Sequence, residues 1–354
     1  MKTIVLTGGG TAGHVTPHLA LLPRLIEAGY AVHYIGTYQG MERGLMEPQA
    51  GVIYHAIQSG KLRRYFDWKN LSDPFRVVAG FFQAFGALGK IKPDIVFSKG
   101  GFVAVPVVMA AWMRRIPVLA HESDLSPGLA NRISAKFSKQ VATAFPECAN
   151  ALGEKGVYAG LPIRASLFEG DRQKGLALAG FAGKKPVLLV MGGSQGAKAV
   201  NEALRAALPQ VLPRMNVLHL CGKGHLDEAL ADTPGYYQTE FLSDELPHAL
   251  AAADYILSRA GATAICEFLA LKKPMLLIPL PLGSSRGDQI ENAKSLAARG
   301  LAQVLPQEQM TPENLSQALT QLMENADELK KALEDAPQAD GSEAIFNMIQ
   351  NMTN

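Results

Sequence analysis

At 354 residues the chain is long for a single hydrophobic core, and two domains of about 150–200 residues are expected. It is 48% hydrophobic and 19% charged, an ordinary soluble globular composition that excludes a disordered chain. The formal net charge of +2 is too small to argue for nucleic acid, so any basic contact is local.

Cys148, Cys221 and Cys266 form no C-x-x-C pair and sit in no histidine cluster, which points to a reducing compartment with neither a disulfide framework nor a zinc site. The opening M-K-T-I-V-L-T-G-G-G holds only a short apolar run before its glycines and does not read as a signal peptide. The longest apolar stretch, Phe102 to Met113, contains Pro106 and stops at Arg114-Arg115. It falls short of the roughly 20 residues that cross a bilayer, so a cytoplasmic protein that spans no membrane is expected.

In chain order, Lys2–Thr7 reads as a strand and runs directly into Gly8-Gly-Gly-Thr-Ala-Gly13, with G-x-G-x-x-G spacing. His14-Val-Thr-Pro17 then leads into an amphipathic segment, with Thr16 as the expected cap, Pro17 as first helical residue and a kink at Pro23. A dinucleotide fold would need an acidic residue ending the second strand to bind a ribose. That strand, Ala31–Thr37, ends in Gly36-Thr37, which disfavours a nicotinamide cofactor. The glycines still let a ligand approach the backbone closely. His14 follows the loop at the mouth of a strand–loop–helix turn, where function and a structural role weigh about equally.

Gly51–Ile57 is a further strand. The segment after it mixes cations and aromatics, with Lys61, Arg63, Arg64, Tyr65, Phe66, Trp68 and Lys69. Phe75, Val78, Phe82 and Phe85 recur at helical spacing, which predicts a core-facing helix. The alternative is an apolar patch with a basic rim, suited to an anionic membrane surface and extended by Trp112, Arg114 and Arg115. Asp94–Gly101 and Pro117–Asp124 are strands ending in a glycine turn and in a polar cluster; His121, Glu122 and Asp124 share the rim of His14. The alternation continues through Gln140–Ala144 and Val157–Pro162, giving a doubly wound parallel sheet.

After a Pro- and Gly-containing linker, Leu161–Gly170, the architecture restarts: Pro186–Met191 is a strand, Gly192–Gly196 a glycine loop, Ala197–Leu212 a helix. Ser194 offers a hydroxyl and neighbouring N–H groups to a diphosphate. Between Ser258 and Asn292 a strand ends at Arg259-Ala-Gly261, a helix covers Ala262–Leu271, and a second buried strand covers Pro274–Leu280. Strand C-termini of open parallel sheets bind ligands, and a glycine turn feeding a helix presents free N–H groups and a positive dipole end to phosphate. Glu267, near that helix start, reaches sugar hydroxyls on one reading and is a surface charge on the other. Pro312–Leu333 reads as one polar helix, and Ser342–Met352 as an amphipathic one with Ile345, Met348, Ile349 and Met352 on a face. The sequence holds no D-x-D metal–diphosphate clamp and no G-x-x-x-x-G-K-[ST] loop. A sugar nucleotide held without metal needs backbone dipoles and side-chain donors, which Gly192–Gly196 and Gly261–Thr263 would supply.

Six stretches together, G-G-G-T-A-G-H-V-T-P (8–17), H-E-S-D-L-S-P-G-L-A-N (121–131), G-L-P-I-R (160–164), G-G-S-Q-G-A (192–197), S-R-A-G-A-T-A-I-C-E (258–267) and G-D-Q-I-E-N-A (287–293), resemble the MurG family of peptidoglycan N-acetylglucosaminyltransferases, in order and over almost the whole chain. The H-E-S-D form resembles Gram-positive members; others carry Gln-Asn in place of Ser123-Asp124. The resemblance implies a GT-B fold, two Rossmann-like α/β domains facing across a cleft. It divides the chain into an acceptor and membrane-associated domain (1–163), a UDP-GlcNAc-binding domain (164–340) and a C-terminal helix (341–354) returning to the first. It implies inverting transfer of N-acetylglucosamine from UDP-GlcNAc, a substrate and not a cofactor, to the 4-hydroxyl of the muramyl sugar of undecaprenyl-linked lipid I, with no metal. Arg164 and the backbone near Leu242 would surround the uracil, Ser194 the diphosphate, Glu267 the ribose and Gln289 the transferred sugar. Asn292 lies beside Gln289, Thr263 on the donor loop, and Thr11, Ala12 and Gly13 approach the phosphates. His14 is the expected general base, with Asp124 and His121 as alternatives. Action on a lipid-linked acceptor implies a peripheral protein on the cytoplasmic side of the cell membrane, docked through the basic–aromatic patch to the anionic inner leaflet. The competing readings are a UDP-GlcNAc 2-epimerase, a GT-B glycosyltransferase for another lipid, and a non-enzymatic sugar-nucleotide-binding module.

Overall fold

The computed structural model describes residues 1–60, 69–193, 196–283, 286–337 and 339–353. It divides into two compact units, Met1–Arg164 with Asp340–Asn354, and Ala165–Ala339.

The first unit is built on seven parallel strands, β1 (Thr3–Thr7), β2 (Ala31–Thr37), β3 (Val52–Ile57), β4 (Ile95–Ser98), β5 (Val118–Glu122), β6 (Gln140–Thr143) and β7 (Gly156–Tyr158). Their order across the sheet is β3-β2-β1-β4-β5-β6-β7. The central strands are near-continuous Val, Ile and Leu, the pattern of a parallel sheet covered on both faces. In β1 the alternation divides two cores. Ile4 and Leu6 pack with Leu21, Leu25 and Phe97 on one face, and Val5 packs with Ile35, Val96 and Val107 on the other. The crossover helices are α1 (Thr16–Glu27), α2 (Met41–Met46), α3 (Lys69–Ile91), α4 (Ala104–Met113), α5 (Leu129–Phe137) and α6 (Pro146–Ala151).

The second unit holds six parallel strands, β8 (Val187–Met191), β9 (Asn216–Leu220), β10 (Tyr236–Thr239), β11 (Tyr255–Ser258), β12 (Met275–Leu277) and β13 (Gln303–Val304), in the order β10-β9-β8-β11-β12-β13. Its helices are α7 (Arg172–Leu178), α8 (Lys198–Val211), α9 (Leu246–Ala252), α10 (Ala262–Ala270), α11 (Asp288–Ala298), α12 (Pro312–Glu324) and α13 (Ala326–Asp335). The chain then returns to the first unit as α14 (Ser342–Thr353), whose Ile345 and Ile349 are fully buried beside Leu21 and Leu25. Each such side chain stabilises the packing by about 1.5–3 kcal/mol.

Numbered within each unit, the sheets have the orders 3-2-1-4-5-6-7 and 3-2-1-4-5-6, which places a topological switch between β1 and β4 and another between β8 and β11. The fold is GT-B.

Several local expectations are corrected. Thr16 does not cap α1: a 3-10 turn at Ala12–His14 precedes it, Val15 takes the cap position, and the Thr16 hydroxyl donates to the Ala12 carbonyl. The predicted polar helix at 312–333 is two helices joined at Asn325. The stripe on α3 is not core-facing throughout. Ala84 and Leu88 are buried, whereas Phe75, Val78 and Phe82 stand 78%, 54% and 65% exposed. Phe85 is half-buried, with the Arg114 guanidinium 3.8 Å over its ring and Arg114 Nε donating to its carbonyl. Lys61, Arg63, Arg64, Tyr65, Phe66 and Trp68 lie outside the described residues, as does the side chain of Lys69. Among the described residues, no helix is long and apolar enough to cross a membrane.

Candidate functional site

In the first unit the polar groups gather at the switch between β1 and β4. Gly10, Gly100 and Gly101 have φ of 88°, 89° and 82°, conformations that only glycine adopts without strain. The fit is close: a Cβ on Gly101 would lie 2.2 Å from the Gly9 carbonyl oxygen. Thr11 is exposed, and Ala12, Gly13 and His14 are half-buried. His14 Nδ1 lies 3.0 Å from the Gly9 carbonyl oxygen and 3.1 Å from Thr11 Oγ1. A carbonyl only accepts, so Nδ1 carries the hydrogen and Nε2 is the basic nitrogen of the neutral ring.

Beneath the loop lie groups that the sequence did not single out. Glu42, on α2, is buried; Oε1 accepts from Thr37 N at 3.1 Å and Thr37 Oγ1 at 2.5 Å, and Oε2 accepts from Gly10 N at 3.3 Å. Thr37 ends β2 without a carboxylate, and α2 brings one back to that place. The spacing of five residues across a turn is the only sequence signal for it. Lys99 is fully buried and donates to Ser123 Oγ. His18, also buried, donates from Nε2 to the Thr7 carbonyl; burial and then the Lys99 charge push its pKa down to about 3.

At the end of β5 the expected cluster separates. His121 is buried and donates from Nε2 to the Gly160 carbonyl at 2.8 Å, with its pKa driven well down by burial and then by Lys99. A ring enclosed in this way cannot meet a substrate hydroxyl, which removes it as an alternative base. Glu122 is a scaffold group: it accepts from Asp124 N, Gly128 N and Asn131 Nδ2 at 2.9, 3.1 and 2.8 Å, and so shapes the loop holding the half-buried Asp124.

In the second unit α8, α10 and α11 all begin at the C-terminal edge of the sheet. Gly193 and Gly196 have φ of 92° and 75°, and Gly196 N donates to the Gly193 carbonyl at 2.9 Å. Ser194 lies outside the described residues. Ser258 Oγ donates to the Met191 carbonyl at 2.8 Å and ties the end of β11 to that of β8 across the switch. Gly261 caps α10 with its backbone, Thr263 is half-buried in the first turn, and Glu267 is 8% exposed on the same helix, not a surface charge. Gln289, in the first turn of α11, accepts from Leu280 N through Oε1 at 3.1 Å. Asn292 is fully buried and donates to the Ala260 carbonyl at 3.3 Å, so it holds the loop that opens α10 from behind. Leu242 is buried between β10 and α9, and Arg164 is half-buried at the end of the first unit.

Comparison with known proteins agrees with this architecture. The glycosyltransferase family 28 N-terminal domain matches residues 4–143, and the glycosyltransferase family 28 C-terminal domain matches 187–345. The chain is 50% identical over 354 residues to the UDP-N-acetylglucosamine–N-acetylmuramyl-(pentapeptide) pyrophosphoryl-undecaprenol N-acetylglucosamine transferase 2 of Bacillus cereus, covering 100% of this chain and 99% of that one. It is 52% identical over 352 residues to the transferase of that name, without the number, from Lachnospira eligens, covering 99% of both. The crystal structure of Acinetobacter baumannii MurG superposes with a TM-score of 0.79 at 31% identity, covering 99% of this chain and 100% of that chain.

Proposed function

The chain belongs to glycosyltransferase family 28, and we propose that it transfers N-acetylglucosamine from UDP-GlcNAc to the muramyl sugar of undecaprenyl-pyrophosphoryl-linked lipid I, forming lipid II. The observation that carries this is identity of 50% or more, end to end, with relatives whose names state that donor and that lipid pyrophosphate acceptor.

The donor belongs to the second unit. The N-termini of α8, α10 and α11 converge on one sheet edge, where their dipoles favour a diphosphate and need no metal. Ser194 and Thr263 bind phosphate oxygens, Glu267 accepts from the ribose hydroxyls, and Gln289 holds the transferred sugar. Arg164 and the backbone at Leu242 take the uracil. Asn292 is a positioning residue for the Ala260 loop.

The acceptor belongs to the first unit. Its pyrophosphate meets the loop Thr11-Ala12-Gly13, and the sugar 4-hydroxyl meets His14. That oxygen attacks the anomeric carbon from the face opposite UDP, the C1–O bond to the diphosphate breaks with inversion, and the hydroxyl proton passes to His14 Nε2. Asp124 is the alternative base. The exposed Phe75, Val78 and Phe82, with Trp112 at 56% exposure and Arg114 and Arg115 close after it in the chain, dock peripherally to an anionic leaflet, where the lipid acceptor resides.

The test is UDP release with a soluble lipid I analogue, beside a no-acceptor control and a diacylglycerol control. Release only with the lipid I analogue is expected. Release without acceptor would favour an epimerase or hydrolase, and release with diacylglycerol a different lipid glycosyltransferase.

A further inference from the structure

A single peptide group, Gly9–Gly10, lies between two ionisable side chains. Its carbonyl accepts from His14 Nδ1 at 3.0 Å, and its N–H donates to Glu42 Oε2 at 3.3 Å. We propose that Glu42 is a positioning residue of the transfer reaction, acting on His14 through this peptide as a carboxylate–peptide–imidazole relay. The inference rests on the reading in which His14 takes the acceptor proton.

The surroundings are built for the carboxylate. Glu42 is 1% exposed, and its other oxygen accepts from Thr37 N and Thr37 Oγ1. Three glycines leave it room. A Cβ would lie 2.6 Å from Glu42 at Gly9, 3.0 Å at Gly36 and 2.1 Å at Gly40. The peptide's orientation depends on the φ of 88° at Gly10. The Gly8 carbonyl accepts separately from the Tyr34 hydroxyl at 2.8 Å, so Gly9 has its carbonyl committed to His14. The ionisable groups packed around the loop and the carboxylate are Glu42, Tyr34, Tyr54, Lys99 and His18, the last kept neutral by burial.

A negative charge at the N–H end of an amide draws electron density toward its carbonyl oxygen, and hydrogen bonds in such a chain strengthen one another. A more negative Gly9 oxygen holds Nδ1–H more firmly. That fixes the tautomer with Nε2 basic, and it stabilises the imidazolium formed when Nε2 takes the hydroxyl proton. The proton balance is closed: one proton moves from the acceptor oxygen to Nε2, Nδ1 keeps its own, and none passes to Glu42. A carboxylate bound directly to an imidazole does the same at shorter range. Here the peptide spacer fixes the ring while keeping the charge out of the ligand's way.

The test is a titration of the full-length protein with 15N-labelled histidine, run beside pH–rate profiles. In the wild type, neutral His14 is expected to carry its hydrogen on Nδ1. Glu42→Gln should lower the His14 pKa by on the order of half a unit, moving the acid limb of kcat/KM to lower pH by the same amount. It should reduce kcat about tenfold with the donor KM unchanged. Thr37→Val loosens the same pocket but keeps the carboxylate, and should titrate as wild type. Should Glu42→Gln fail to fold, Glu42→Asp, which withdraws the charge from Gly10, should shift the titration in the same direction. An Nε2–H tautomer in the wild type, no shift in the Glu42 variants, or an equal shift in Thr37→Val would overturn the relay. The base reading fails separately, through retained turnover in His14→Ala, and the titration does not depend on it.

Discussion

Asn292 Nδ2 donates to the carbonyl of Ala260 at 3.3 Å, joining α11 to the loop that opens α10, with both residues fully buried. The bond orients the Gly261 turn from behind, so its loss disturbs the loop proposed to hold the donor. Asn292→Ala leaves a buried acceptor unsatisfied and should cost about 1–3 kcal/mol of stability. Chemical denaturation measures that loss, and steady-state kinetics should show the UDP-GlcNAc KM rising more than kcat falls. A drop confined to kcat would place Asn292 in direct contact with the reacting sugar.

His14→Ala tests the proposed base. Removing a general base costs on the order of 100- to 10,000-fold in turnover. The expected result is a loss of that size in kcat with UDP binding unchanged by calorimetry. Near-wild-type turnover would transfer the role to Asp124.

Burial sets a pH dependence of stability. His18 and His219 both have pKa values pushed down to about 3, mainly by desolvation. In the unfolded chain each returns to about 6.5, so below that pH the unfolded state binds the extra proton. The contribution of each neutral ring is intact above about pH 6.5 and drains away as pH falls toward 3, by roughly 1.4 kcal/mol per unit per group. His219 bonds to Tyr236 Oη at 2.8 Å and Asn201 Oδ1 at 3.0 Å within the second unit. Urea unfolding between pH 7 and 5 should therefore show a shallower slope in His219→Gln, even where the variant is less stable throughout. An unchanged slope would mean that His219 titrates normally in the folded protein.

The outward face of α3 carries the membrane proposal. Phe82→Ser exchanges a 65% exposed ring for a hydroxyl and should alter stability by no more than about 0.5 kcal/mol. Co-sedimentation with vesicles containing anionic lipid should fall several-fold, while turnover of a soluble acceptor analogue stays at the wild-type level. Undiminished co-sedimentation would move the docking surface elsewhere.

Much of the architecture was legible locally. The strand at 3–7, the glycine loop after it, and their repetition at 187–196 follow from period, apolar runs and turn residues that need no partner. The six ordered motifs carried the family, and with it the donor and acceptor. Glu42 shows where such reading stops. The last residue of β2, where a ribose-binding acid would stand, is Thr37, whereas α2 folds a carboxylate back to that place and turns it under the loop. His121 and Asp124 are three residues apart in one motif, yet one is sealed beneath Gly160 and the other half-exposed, because the strand ends between them. On α3 the period predicts one apolar face, and only the packing of β3 and α4 decides that Ala84 and Leu88 fill it while Phe75 and Phe82 turn outward. Sequence determines what a segment can form by itself and which chemistry it carries. Burial, tautomer and the partner of each polar group depend on atoms brought together across tens of residues, and only the tertiary structure decided those.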